Sequence, residues 1–230
     1  MDKSIIVYHG SNQIIETPAY GKGRKNNDFG LGFYCTESID LAMEWAVSSQ
    51  KSGFANQYLL DTRYLKVLHL NNSEYSILNW IAVLLQHRLF PIKTPIARKA
   101  KKYLIDNFTI NVNAYDLIIG YRADDSYFDY AEAFINNSIS VNQLARAMRL
   151  GKLGEQIVLK SKYAFSKIEY KGFDVAEKEK FYVLRKARND EANRTYLEML
   201  EEDDDGLYIR DIIKGGITND DPRIPRNISE

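Results

Sequence analysis

The stretch NDFGLGFYCTESIDLAMEW, residues 27–45, decides how the rest of the chain is read. It opens with two glycines one residue apart, Gly30 and Gly32, and runs into the β-prone segment Phe33-Tyr34-Cys35-Thr36. A helix-start signal follows, with Thr36 or Ser38 as N-cap and Glu37 and Asp40 near the positive end of the helix dipole. Leu41, Ala42, Trp45 and Ala46 then recur at helical spacing. A glycine loop, a strand and a capped helix in succession can hold a small ligand against bare backbone, because glycine has no Cβ. The same succession also serves ordinary packing, since glycine turns precede many strands.

Toward the N-terminus, SIIVY (residues 4–8) is a β-branched apolar run that ends in His9-Gly10-Ser11, so polar groups sit where the strand runs out. Residues 12–29 are loop-like, with Pro18, Gly21, Gly23 and the basic pair Arg24-Lys25. On the other side, the helix is expected to continue to about Lys51 and stop at Gly53. Residues 57–70 have strand character interrupted near 61–63, with His69 on the polar face. Residues 73–107 read as helical, capped by Ser73 and broken by Pro91 and Pro95. The run Arg98-Lys99-Lys101-Lys102 in this block reads as a solvated face, or else as a contact for a phosphate-rich partner, and His87 has no second histidine at metal-ligand spacing. YDLIIG (115–120) is a buried-type strand, followed by Asp124 and Asp125 as N-cap candidates or as carboxylates at a strand end. VNQLARAMRL forms a short capped helix ended by Gly151. Gly154-Glu155-Gln156 then leads into the strand Ile157-Val158-Leu159, with a further strand-like piece at 166–170.

From Gly172 the chain becomes charged and helix-prone and reaches an acidic run at 201–205, as a solvated face or linker does. Residues 206–213 carry enough apolar content to pack back, and Pro222 and Pro225 mark an end expected to fray.

Thirty-one basic and 31 acidic residues give zero formal charge, which removes any chain-wide electrostatic case for nucleic acid or an anionic membrane and leaves local patches open. The single cysteine, Cys35, cannot form an internal disulfide, which fits a reducing, cytoplasmic setting. No leader-like or membrane-length apolar run is present in the sequence, so no membrane partner is expected.

The order and spacing of VYHGS (7–11), DFGLGFYCT (28–36), the Ala42…Trp45-Ala46 helix, YDLIIGYRADD (115–125) and EQIVL (155–159) resemble the ADP-ribosyltransferase fold. The branch is the histidine–tyrosine–glutamate one of the poly(ADP-ribose) polymerases and diphtheria toxin. The closer likeness is to the DUF3990 family, bacterial ADP-ribosyltransferase-like proteins often found beside small antitoxin-like partners. The resemblance covers about residues 4–171. It implies an α+β fold in which two small β-sheets flank an NAD cleft, with inserted helices near 73–107, a domain over 1–171 and a helical, acidic C-terminal extension over 172–230.

By similarity, Gly10 offers backbone groups to the nicotinamide amide, His9 hydrogen-bonds the adenosine ribose, and Ser11 supports the same loop. Tyr34 and Trp45 match the two rings that sandwich nicotinamide, and Gly32 belongs to the glycine frame of that cleft. Where polymerase-like relatives carry a serine that donates to the amide, this chain has Ala42. The carboxylate that fixes the nicotinamide ribose and stabilises an oxocarbenium-like transition state aligns with Glu155, whereas DUF3990 relatives favour glutamine at the Gln156 position. Adjacent strand residues face opposite sides, so only one of the two can enter the cleft, and the alignment favours Glu155. If Gln156 enters, the ribose contact survives without the charge. The resemblance thus implies transfer of ADP-ribose from NAD, with no metal, to an intracellular protein or nucleic-acid acceptor, as a toxin of the toxin–antitoxin kind. The alternatives are an NAD glycohydrolase and a catalytically weak nucleotide-binding module.

Overall fold

A computed structural model describes residues 4–123, 125–150, 154–202 and 204–227. In chain order the elements are β1 (Ser4–Ser11), β2 (Phe33–Cys35), α1 (Ile39–Ala46), β3 (Gly53–Asp61), β4 (Val67–His69), α2 (Ile77–His87), α3 (Pro95–Phe108), β5 (Leu117–Tyr121), α4 (Asp125–Ile135), α5 (Val141–Ala147), β6 (Glu155–Leu159), α6 (Lys162–Phe165), β7 (Ile168–Ala176), α7 (Lys178–Leu200) and α8 (Ile209–Lys214). The protein is α+β, with its strands divided between two small sheets.

The first sheet has the order β1-β3-β7 and is antiparallel throughout, with β1 pairing β3 from Ser4↔Asp61 to Ser11↔Phe54. The second has the order β2-β6-β5-β4. Its β4 and β5 run parallel, which demands a crossover, and α2 and α3 supply it. The sheets meet where Tyr8 N–H donates to Thr36 O at 2.7 Å and Thr36 N–H donates back to Tyr8 O at 2.9 Å.

Two cores follow from the alternation of side chains along the strands. Val7, Cys35, Tyr58, Leu60, Ile157 and Leu159 fill the space between the sheets. Ile118 and Val158, on the opposite face of the second sheet, join Trp80, Leu84, Leu104 and Phe134 in the helical core. In β6 the alternation therefore assigns odd-numbered residues to one side and even-numbered residues to the other.

Several boundaries differ from the sequence expectation. Ser38 is the cap of α1, accepting from Leu41 N–H at 3.3 Å, and the helix ends at Ala46 rather than near Lys51. Gly53 is where β3 begins, packed so closely that a Cβ there would lie 2.2 Å from Ala46 O. Ser76, not Ser73, opens α2, with its N–H bonded to Asn79 Oδ1 at 2.8 Å. Thr94 caps α3, and Pro95 starts it, where a missing N–H costs nothing.

The expected extension is less separate than its composition suggests. A boundary at 171 falls inside β7, which pairs with β3. Arg188 of α7 makes a two-pronged bond to the buried Glu44 of α1, at 3.1 and 2.8 Å. In place of the expected fraying, Ile224 and Asn227 are buried and Asn227 Nδ2 donates to Leu70 O at 2.7 Å. Asp124 and Gly151 lie outside the described residues. Among the described residues no helix is long and apolar enough to cross a membrane.

Candidate functional site

A cavity of about 270 Å³ opens where β1 meets β2 and the start of β6. His9, Gly10, Tyr34, Trp45 and Gln156 line it, so these five expected residues come together. Asn27, Asp28, Arg88, Arg122, Ala123 and Arg185 complete the wall.

Each side chain is held for a local reason. His9 stands near the end of β1, where its Nδ1 bonds Tyr34 O at 2.7 Å. That carbonyl can only accept, so Nδ1 carries the proton and Nε2 is left as an acceptor. Burial holds the imidazole below its ordinary pKa of 6.5, against the smaller opposing effect of the Tyr34 bond, and so favours the neutral ring. Tyr34 spans the glycine loop, its hydroxyl donating to Gly30 O at 2.6 Å and accepting from Phe29 N–H at 3.1 Å. Burial pushes this phenol well above the ordinary tyrosine range, so it stays protonated. Gly10 is demanded by packing, because a Cβ there would meet Ala42 O at 2.0 Å. Its backbone thereby forms a bare floor against α1. The Arg122 guanidinium lies over the Trp45 ring, 4.3 Å from its centroid, and the indole Nε1 is buried without a hydrogen-bond partner.

Gln156 is the residue that faces the cavity. Its Nε2 donates to Asp28 Oδ2 at 2.9 Å and to Tyr121 O at 3.0 Å, which uses both amide hydrogens and leaves Oε1 as the acceptor. Asp28 is itself buried. The same oxygen accepts from Ala123 N–H at 2.9 Å, and Oδ1 lies 3.6 Å from Arg88 Nε. Burial raises the Asp28 pKa, opposed by these hydrogen bonds and by Arg88 and Arg122. The cavity thus holds a carboxylate that the sequence reading did not single out, although it opens the quoted DFGLGFYCT run.

Four expected positions lie elsewhere. Glu155 does not face the cavity: on the other side of β6 its Oε1 bonds His69 Nε2 and Asn71 Nδ2, each at 2.8 Å. The register of β6 decides this, since Ile157 and Leu159 share that parity and Val158 shares the parity of Gln156. Ser11 Oγ turns back to Gln13 O at 2.8 Å. Ala42 is fully buried beneath Gly10. Gly32 lines a different cavity, behind the glycine loop.

Arg88, Arg122 and Arg185 had no local signal of this role, because α2, the end of β5 and α7 converge only in three dimensions. A second cavity of about 270 Å³ shares Trp45, Arg122 and Arg185 with the first and continues along α7 past Ser48 and Tyr182. The two together make an elongated cleft with a polar, hydrogen-bonding end and an arginine-bordered middle. Each is close to the lower size of small-ligand sites, about 300 Å³. Among the described residues no group of three or more histidine, cysteine, aspartate or glutamate side chains could hold a metal ion.

A family described as a protein of unknown function, DUF3990, has a model that matches residues 5–170. No curated protein and no solved structure matches the chain.

Proposed function

The chain belongs to the DUF3990 family, and from that premise we propose that it is an NAD-dependent ADP-ribosyltransferase of ADP-ribosyltransferase-like fold. The acceptor is an intracellular macromolecule, and the biological setting is that of a toxin held by a small antitoxin partner. One observation carries the reading: His9, Gly10, Tyr34, Trp45 and Gln156, brought from β1, β2, α1 and β6, line a single cavity.

In this reading the nicotinamide ring lies between Tyr34 and Trp45, with Arg122 moving off the indole toward the diphosphate. Aromatic stacking is worth about 0.5–1.5 kcal/mol beyond buried area. The bare backbone at Gly10 takes the amide, and His9 Nε2 accepts from a ribose hydroxyl. Gln156 Oε1 accepts from the nicotinamide ribose, its amide held in place by Asp28 and Tyr121 O. The C1′–N bond breaks with its electron pair leaving on neutral nicotinamide. An acceptor heteroatom then bonds C1′ and releases its proton. Asp28, hydrogen-bonded to Gln156 in the cavity wall, supplies the negative charge that a glutamine lacks, and a preorganised charge stabilises a developing cation.

A second reading, a nucleotide-binding module with weak turnover, is favoured by one observation: the β6 residue in the cavity is an amide, and Asp28, the carboxylate in its wall, lies 3.6 Å from Arg88. Incubation with labelled NAD and cell lysate separates the readings. The transferase releases nicotinamide and labels a macromolecule, a glycohydrolase releases free ADP-ribose, and the binding module does neither while still retaining NAD. Trp45→Ala is expected to abolish release while the protein still unfolds cooperatively; full activity in that variant removes Trp45 from the site.

A further inference from the structure

Behind the glycine loop lies a separate cavity of about 280 Å³, bordered by Lys25, His87, Asn113 and Lys160, with Tyr20 at its edge and Gly30 and Gly32 as part of its wall. Its electrostatics are unlike those of the cleft. Lys160 Nζ donates to Phe29 O and Leu31 O, both at 2.7 Å, and these neutral carbonyls are its protein partners. Among the described residues no carboxylate pairs with it and none lines the cavity. Burial alone pulls the ammonium down to about 8. His87, at the C-terminal end of α2, has a buried Nε2 with no hydrogen-bond partner, and it is held below its ordinary pKa by burial and by Lys160. A half-buried cation without an anion is costly, as is a buried polar nitrogen without a partner. Lys160 borders this space, and an anion there would relieve its deficit.

We propose that this cavity binds a phosphate group, carried by a nucleotide unit of the acceptor. Lys160 and Lys25 supply the positive charge and Asn113 and His87 supply hydrogen-bond donors. The nucleotide, rather than another phosphate compound, follows from Tyr20, which is 50% exposed beside the cavity. It stands edge-on to Phe165 at 5.6 Å, and Lys162 Nζ lies 5.7 Å from its ring. A half-exposed ring among lysines gives a base something to stack on next to its phosphate. Placement also suits an acceptor. Tyr34 pins Phe29 and Gly30 from the cleft side, while Lys160 pins Phe29 and Leu31 from behind, so the two spaces share one thin wall. The acceptor role rests on the transferase reading; the phosphate site does not.

The test is calorimetric titration without NAD, using inorganic phosphate, thymidine monophosphate and a short single-stranded oligodeoxythymidylate. Wild-type protein is expected to bind the nucleotide ligands with an affinity that falls as salt rises. Lys160→Met is expected to weaken binding by about tenfold or more, since hydrogen bonds to charged groups contribute about 1.5–3 kcal/mol. Because that substitution also removes the Phe29 and Leu31 contacts, Lys25→Glu is the companion variant; it leaves those bonds in place and is expected to weaken binding severalfold. Tighter binding of the strand identifies a nucleic-acid acceptor, and equal binding of the mononucleotide identifies a free nucleotide. No binding of any probe, or binding untouched by both variants, overturns the proposal. Nicotinamide release from the same wild-type sample reports separately on the transferase reading, so either can fail alone.

Discussion

Gln156 and Glu155 are neighbours in β6, yet the two sides of the second sheet give them unrelated surroundings. On the cleft side Gln156 is buried and both its amide hydrogens are used, against Asp28 and Tyr121 O. On the other side Glu155 meets His69 and Asn71, and the Glu155 and His69 side chains are 39% and 34% exposed. In a buried hydrogen-bond network the low local dielectric strengthens each bond and makes an unmet group costly, so each group in it matters for shape and charge. A half-exposed pair is screened by solvent and contributes little to stability. Carboxylate chemistry in the protein should therefore be sought on the buried side, at Asp28, rather than at the more glutamate-like position in the motif.

The largest expected effect tests that assignment. Asp28→Ala strips the acceptor from Ala123 N–H and from Gln156, at about 1–3 kcal/mol for each buried donor left unmet. Urea denaturation should show a clear drop in midpoint. Asp28→Asn can keep an oxygen toward both donors, so it should hold most of the stability and lose NAD turnover through the missing charge. Wild-type turnover in Asp28→Asn would reduce Asp28 to a structural support.

A smaller effect distinguishes the two sides by proton titration. The Glu155 hydrogen bond is the main reason that His69 is raised above 6.5, while burial holds His9 and His87 below it. NMR titration of the three histidines should therefore find His69 above 6.5 and the other two below. The His69 contribution to stability is fully present below 6.5 and is lost as pH rises through its folded value. The His9 and His87 contributions have the opposite sign, being present above 6.5 and lost as pH falls through their folded values. In Glu155→Gln the remaining influence on His69 is burial, so its value should fall below 6.5 while that of His9 stays put. The stability change should be about 0–1 kcal/mol. A shift at His9 would break the separation between the two sides.

Much of this arrangement was legible in the sequence, because strand ends and caps are local. The runs around His9, Tyr34 and Trp45 predicted elements that converge, and they do line one cavity. What the sequence left open was parity: EQIVL does not say which of its first two residues faces which core until β5 and β2 fix its register. Arg185 was illegible for another reason. It belongs to a charged helix with few buried residues, Phe181, Ala192 and Met199, and it reaches the cleft because long-range contacts, among them Arg188 to Glu44 and Phe181 against Ala46 and Val47, seat α7 beside α1. The start of α2 moved by a few residues, from the expected Ser73 to Ser76, while α1 opens at Ser38, one of the two caps expected for it.

The most direct measurement is nicotinamide release from labelled NAD by the wild-type protein, Gln156→Leu and Glu155→Gln, with NAD binding followed in parallel. The account predicts release by the wild type, loss in Gln156→Leu, and release in Glu155→Gln within about twofold of wild type, a change of less than about 0.5 kcal/mol in barrier. Loss in Glu155→Gln with Gln156→Leu unaffected, or no NAD binding by the wild-type protein, would contradict it.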